Sequence, residues 1–333
     1  MSSRPIYSFV VPIYNEESVI PLLISRMDEL LQSLDGPAEV LFVDDGSHDC
    51  SPIVLRAKAK SDPRYRYVRL SRNFGHQIAI TTGLDRAQGD AVVVMDADLQ
   101  DPPEIVHQLI AKWREGFQVV SAQRRSRSGE SRFKRASASL FYRFLRSFAC
   151  VDIPQDVGDF RLVDRAVLES FRSMRERERF VRGMFAWLGY RQTTVPFDRA
   201  ARMAGETKYP LSKMIRLASD ALISFSEAPL RAALWSGISV SLVALAYGCY
   251  VVGLWLTDAN LVPGWSSTIV VTSLLCGVNL LMTGIMGLYV GRIYSEVKER
   301  PLYVIDQAMT LDGPVESFGE AHTAEFASAS RAA

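Results

Sequence analysis

Three polar clusters carry the chemistry this sequence can offer, and each closes or follows a run of apolar, β-prone residues. Pro12-Ile13-Tyr14-Asn15-Glu16 ends the first run, Asp44-Asp45-Gly46-Ser47 the second, and Asp96-Ala97-Asp98, then Leu99-Gln100-Asp101-Pro102-Pro103-Glu104, the fourth. Asp96 and Asp98, at i and i+2, can converge on one hard cation. Mg²⁺ or Mn²⁺ in such a place takes a few carboxylate oxygens and completes its shell with substrate phosphate. Tyr14 offers a flat face for a nucleobase, and Asp45 an acceptor for a ring N–H. The Asp44–Ser47 cluster also fits a turn with a helix N-cap, a role compatible with binding. The sequence contains neither a dinucleotide fingerprint nor a Walker lysine motif, which disfavours hydride transfer and P-loop chemistry.

The elements that must position these groups are legible from the hydrophobic pattern. Short apolar runs at residues 8–13, 39–43, 66–70, 91–95 and 118–122 read as strands. Helical patterns such as 19–34 and 104–114 fill the gaps. Alternation of this kind predicts an α/β domain with a mainly parallel sheet, whose ligands bind beyond the carboxyl ends of the strands.

The chain of 333 residues carries a net charge of +1, so it has no bulk attraction to nucleic acid. Its charge is unevenly spread: between Arg231 and Arg292 the only charged residue is Asp258. Two stretches without charge, about 232–256 and 266–291, each exceed the roughly 20 apolar residues that cross a bilayer core, predicting a two-helix transmembrane hairpin. Lys213, Arg216 and Arg231 before it, and Arg292, Lys298 and Arg300 after it, place both termini in the cytoplasm and the 257–265 turn outside. Residues 211–230 fit either an interfacial helix or a helix packed on the soluble domain. Gly284, Gly287 and Gly291 offer small faces compatible with a homo-oligomer. Residues 1–210 form the expected cytoplasmic catalytic domain, 231–292 the hairpin, 293–312 a cytoplasmic return segment and 313–333 a disordered tail. The N-terminus shows no secretory signal. Four scattered cysteines and four scattered histidines form no zinc pattern, and reduced thiols are expected.

Taken together, Val11 to Glu16, Val43-Asp44-Asp45-Gly46-Ser47, Leu70-Ser71-Arg72-Asn73-Phe74-Gly75, Met95 to Glu104 and Gly158-Asp159-Phe160-Arg161-Leu162 resemble the inverting family-two glycosyltransferases with the A-type, Rossmann-like fold. The resemblance is closer to the polyprenyl-phosphate branch, with its bactoprenol glucosyltransferases, and covers about residues 6–306. It implies that Pro12, Tyr14, Glu16 and Asp45 line a uridine pocket. Asp96 and Asp98 would hold the metal against the donor diphosphate, with Gln100 near the sugar. Asp159 occupies the family's catalytic-aspartate position, and Asp98 joins it in the catalytic set. The Gln-x-x-Arg-Trp motif of processive synthases is missing, which favours a single transfer.

The reaction implied is displacement at the anomeric carbon of a nucleotide sugar, UDP-glucose first, by the phosphate oxygen of polyprenyl (undecaprenyl) phosphate at the cytoplasmic membrane face, with inversion. That acceptor's second pKa is about 6, so a strong base is unnecessary, and Asp159 is expected chiefly to orient the acceptor or a neighbouring cation. The basic run Arg124, Arg125, Arg127, Arg132, Lys134 and Arg135, with Arg202 and Lys208 further on, fits a solvated loop, an acceptor-phosphate site or attraction to anionic lipid. Arg124, Arg125 and Lys208 are the expected phosphate ligands. A processive polysaccharide synthase, a membrane-tethered nucleotide-sugar-binding protein and a transporter are the competing classes; the spans' lack of ionisable groups disfavours the last.

Overall fold

The computed structural model describes residues 4–124, 157–198, 228–256, 264–310 and 313–314. Among these, the chain divides into two compact units: a sheet with its helices, which includes residues 301–310, and a pair of C-terminal helices.

The first unit begins as the alternation predicts, with β1 (Tyr7–Ile13), α1 (Ile20–Ser33), β2 (Ala38–Asp44), α2 (Ser51–Ser61), β3 (Tyr65–Leu70), α3 (His76–Arg86), β4 (Ala91–Val94) and α4 (Ile105–Arg114). It continues with β5 (Val119–Arg124), β6 (Val157–Asp164), α5 (Arg165–Ser173), α6 (Val181–Trp187) and β7 (Gln192–Phe197). Strands β4, β1, β2 and β3 run parallel. The full order is β7-β5-β6-β4-β1-β2-β3-β8-β9, so the α/β class is as expected and the sheet is mixed, mostly parallel at its centre.

Every residue of β1 is buried, because helices cover both faces. Tyr7, Phe9, Val11 and Ile13 pack into one core with Ile20, Leu23 and Met27 of α1. Val10 points the other way, into a second core with Ile80 and Leu84 of α3. The apolar positions of α1 recur at three- and four-residue spacing, which puts Ile20, Leu23, Met27, Leu30 and Leu31 on one buried face. Gly83 lets α3 lie directly on β1: a Cβ there would stand 2.1 Å from Val10 Cγ1.

Strand β1 has β2 on one side and β4 on the other. The chain thus reverses its direction of advance at β1, and the crevice at such a switch point opens at the carboxyl ends of β1 and β4.

Two elements at the C-terminal end refine the sequence expectation. Strand β8 (Ile305–Thr310) pairs antiparallel with β3, so the expected return segment is part of the sheet. Gly313–Pro314 forms β9 against Met309 and Thr310, so these two residues are strand and not the start of a disordered tail; ladder pairing to β8 supplies the order.

In the second unit, α7 (Ala228–Leu256) and α8 (Trp265–Val297) contain the two charge-free stretches and extend beyond them, taking in Arg231 at one end and Arg292 and Glu296 at the other. Among the described residues one stretch, Leu274–Val297, is long and apolar enough to cross a membrane, and Ala233–Tyr247 is a shorter apolar stretch. Leu234, Trp235, Leu242 and Val243 of α7 and Leu274, Leu280 and Leu281 of α8 are exposed. The expected juxtamembrane segment, up to residue 227, lies outside the described residues.

Candidate active site

A cleft of about 340 Å³ opens at the carboxyl ends of β1, β2 and β4, lined by Pro12, Tyr14, Glu16, Asp45, His76, Asp96 and Asp98 among others. Six of the residues singled out from sequence therefore meet in one place. Tyr14 is 43% exposed, as a platform for a flat ligand must be.

The loops that carry them are laced together. Asn15 adopts a positive φ of 55° and its backbone N–H donates to Ser47 Oγ at 3.0 Å, while its Oδ1 accepts from His48 N–H at 2.9 Å. The N–H of Glu16 donates to Ser51 Oγ at 3.1 Å. Asp44, fully buried, accepts from Ser47 N–H at 2.8 Å and from Tyr67 Oη at 2.7 Å. Gly46 allows the third loop to approach: at φ 74° its absent Cβ would come within 2.6 Å of the Arg72 carbonyl carbon.

Asp45 is buried and accepts the N–H of Phe74 at 2.7 Å and of Gly75 at 2.9 Å. Burial pushes its carboxyl above the usual range, although these two N–H groups pull the other way. Its carboxylate thus serves first as a clamp on the loop after β3, a role the ring-acceptor expectation did not include.

Asp96 and Asp98 follow β4. The Oδ1 of Asp98 accepts from Gln100 N–H at 3.1 Å, and Leu99 between them sits at φ 55°. Gln100 is buried and is not among the residues lining the cleft. Asp96 Oδ1 is buried without a hydrogen-bond partner. Burial raises the Asp96 carboxyl, His76 opposes this, and Asp159 and Asp98 add to it. A buried carboxylate oxygen lacking a donor and crowded by two acids fits a hard divalent cation. Among the described residues no group of three or more such ligands stands together, so Asp96 and Asp98 would need substrate oxygens to complete the shell.

Asp159 on β6 lies behind His76. Arg182 of α6 grips it as a fork, Nε to Oδ1 at 2.8 Å and Nη2 to Oδ2 at 3.0 Å. Gln77 Nε2 donates to Oδ2 at 3.3 Å, and Gln77 Oε1 accepts the N–H of Val181, tying the start of α3 to the start of α6. Burial pushes the Asp159 carboxyl up, but hydrogen bonds from His76 and Arg182 outweigh it and hold the group well below the usual carboxylate range. Arg161, two residues along the same face of β6, donates to the Gly158 carbonyl at 2.9 Å and is lowered to about 10 by burial.

His76 links the two acidic centres: Nε2 lies 3.5 Å from Asp96 Oδ1 and 3.4 Å from Asp159 Oδ2. Burial lowers its pKa, while Asp159 and Asp96 raise it further than burial lowers it. Sequence reasoning missed His76, Gln77 and Arg182. The first two directly follow the quoted Leu70 to Gly75 motif and open a helix at the ligand edge, a positional signal available in advance. Arg124 ends β5 beside Gly158, its Nη2 being 3.3 Å from where a Gly158 Cβ would stand. Arg125 and Lys208 lie outside the described residues.

The α/β sheet carries an acidic cleft at its switch point, and residues 8–172 match the family described as Glycosyl transferase family 2. The chain belongs to that family. It is 47% identical, over 94% of its length and 97% of the relative's, to the uncharacterized glycosyltransferase YkcC of Bacillus subtilis (strain 168). It is 39% identical, over 90% of its length and 97% of the relative's, to the SfII prophage-derived bactoprenol glucosyl transferase of Shigella flexneri. A solved mannosyltransferase from Pyrobaculum calidifontis, in complex with GDP-Man and Mn²⁺, aligns at TM-score 0.41 and 20% identity over 85% of this chain and 88% of that one.

Proposed function

We propose that this chain transfers a single sugar, glucose from UDP-glucose as first choice, to polyprenyl (undecaprenyl) phosphate at the cytoplasmic face of a membrane, with inversion. The observation that carries the reading is the convergence of Tyr14, Glu16, Asp45, Asp96 and Asp98 on one cleft, with Asp159 one imidazole away. The acceptor is supported by the bactoprenol glucosyl transferase name of the Shigella flexneri relative.

An oxygen of the acceptor phosphate attacks the anomeric carbon. The bond from that carbon to the donor's diphosphate breaks, and its electron pair leaves on the diphosphate. Asp96 and Asp98 would hold Mg²⁺ or Mn²⁺, which when bound neutralises the charge on the leaving diphosphate. Tyr14 stacks the base, Pro12 and Glu16 shape the uridine pocket, and Asp45 fixes the wall opposite. Gln100 braces the Asp98 turn beneath the sugar. Asp159 stays ionised and orients its neighbours; an already ionised phosphate needs no base of greater strength. Arg124, with Arg125 and Lys208, binds the acceptor phosphate.

Exposed apolar side chains along α7 and α8 support a two-span membrane hairpin, and the lysines and arginines flanking it support both termini and the cleft being cytoplasmic. Residues 1–210 serve as the catalytic domain and 231–292 as the hairpin, with a homo-oligomer packed through the α8 glycines.

Purified chain in detergent, given a panel of nucleotide sugars with undecaprenyl phosphate and Mg²⁺ or Mn²⁺, tests this. One lipid-linked monosaccharide and stoichiometric nucleoside diphosphate are expected, with UDP-glucose preferred. A polymeric product, or no lipid product with any donor, overturns the reading.

A further inference from the structure

Asp159 is placed poorly to touch a substrate. Only 5% of its side chain is exposed, and three hydrogen bonds already converge on it, two from Arg182 and one from Gln77, while the His76 ring stands at a longer 3.4 Å from Oδ2. Arg182 and Gln77 come from different helices and fix the carboxylate in two directions. A carboxylate so supplied with donors is a weak base and has little capacity left for a further partner.

His76 has the opposite properties. It lines the cleft together with Asp96 and Asp98, and 46% of its side chain is exposed. It is the first residue of α3, and the preceding Gly75 N–H is fixed by Asp45, so the backbone that carries the ring is held. Its Nε2 stands between the two carboxylates, 3.4 Å from one and 3.5 Å from the other. Phosphate oxygens drawn toward Asp96 and Asp98 arrive beside this N–H.

We propose that His76 is the residue that meets a substrate phosphate oxygen, and that Asp159 is a positioning residue which acts through it by aiming the imidazole into the cleft. The proposal rests on the nucleotide-sugar reading above. The phosphate belongs either to the donor diphosphate or to the acceptor monoester, and the same hydrogen bond serves both chemistries.

The test compares wild type, H76A, H76Q, D159N and the H76A/D159N double variant in detergent, checked for unchanged melting temperature. The readouts are kcat, KM for UDP-glucose and for undecaprenyl phosphate, and UDP binding by calorimetry. H76A is expected to lose about 10²-fold in kcat/KM, as removal of one well-placed donor does. H76Q, which keeps an N–H at a similar reach, recovers roughly tenfold of that loss. The double variant is expected to be no worse than H76A, because two residues acting through one contact are not additive. A rise in KM for the nucleotide sugar with weakened UDP binding assigns the donor diphosphate; a rise for the lipid alone assigns the acceptor. Unchanged kcat/KM in H76A, or losses that multiply in the double variant, overturns the proposal. If wild type forms no glycolipid, the functional reading fails separately, and the His76 contact is then judged on UDP affinity: a tenfold weakening in H76A upholds it and an unchanged value overturns it.

Discussion

The N–H of Gly75 donates to Asp45 Oδ2 at 2.9 Å, while the adjoining Phe74 N–H takes Oδ1 at 2.7 Å. One buried carboxylate at the end of β2 thereby sets where α3 begins, and α3 begins with His76 and Gln77. Asp45 therefore positions the link between the cleft and Asp159 as well as the wall of the cleft.

Replacing Asp45 with Asn leaves one oxygen and turns an amide N–H₂ toward a backbone donor. A buried donor without its acceptor costs about 1–3 kcal/mol. D45N is expected to melt earlier and to show a raised KM for the nucleotide sugar; a thermal melt and donor titration check both.

Asp96 and Asp98 are expected to fail separately as metal ligands. D96N and D98N should each lower turnover by about 10² or more, as loss of charge stabilisation at the leaving group does. Chelation of wild type should abolish nucleoside diphosphate release, and Mg²⁺ or Mn²⁺ should restore it. Full activity in excess chelator would remove the cation from the reaction.

Gly83 predicts a packing rescue. G83A drives a methyl into Val10, 2.1 Å from Cγ1, and overpacking of this kind costs about 1–3 kcal/mol. V10A in the same chain opens the space, so the double variant should regain stability relative to G83A. Melting temperatures of the four chains read this coupling directly.

Arg182 should be needed for its fork geometry. R182A removes two charge-assisted hydrogen bonds from Asp159, each class of bond being worth about 1.5–3 kcal/mol, and a large loss of turnover is expected. R182K keeps the charge without the fork and should recover only part of it.

Far from the cleft, Asp62 gives a pH prediction. Arg64 and Lys58 hold its carboxyl below the usual range, with burial opposing them. A depressed carboxylate contributes stability that is present above its unfolded pKa of about 3.9 and is lost as pH falls through the folded value. D62N should thus melt below wild type at pH 7, with the gap steady to about pH 5 and narrowing below about pH 4.

Much of this was legible in advance because short buried strands and the polar residues at their ends are local signals. Tyr14, Glu16, Asp45, Asp96 and Asp98 each adjoin a strand that the pattern marks, and the sheet's topology brings them together. Arg182 is different. It sits in a short helix with nothing local to mark it, and its partner lies 23 residues earlier across a strand and a helix. The Gln77 contact spans 82 residues. Strand β8, Ile305 to Thr310, was equally hidden: its Asp306 and Gln307 interrupt the apolar pattern, and it pairs with a strand more than two hundred residues away.

That late strand governs the order in which the protein can be built. A ribosome that has finished α8 has still not supplied the segment that covers β3, and Tyr303, whose hydroxyl reaches Asp85 at 3.0 Å, also emerges afterwards. A nascent chain arrested at Arg300 presents β3 as an open edge, the kind of surface that recruits strands from other molecules. Completion of the sheet therefore waits on synthesis of the apolar pair.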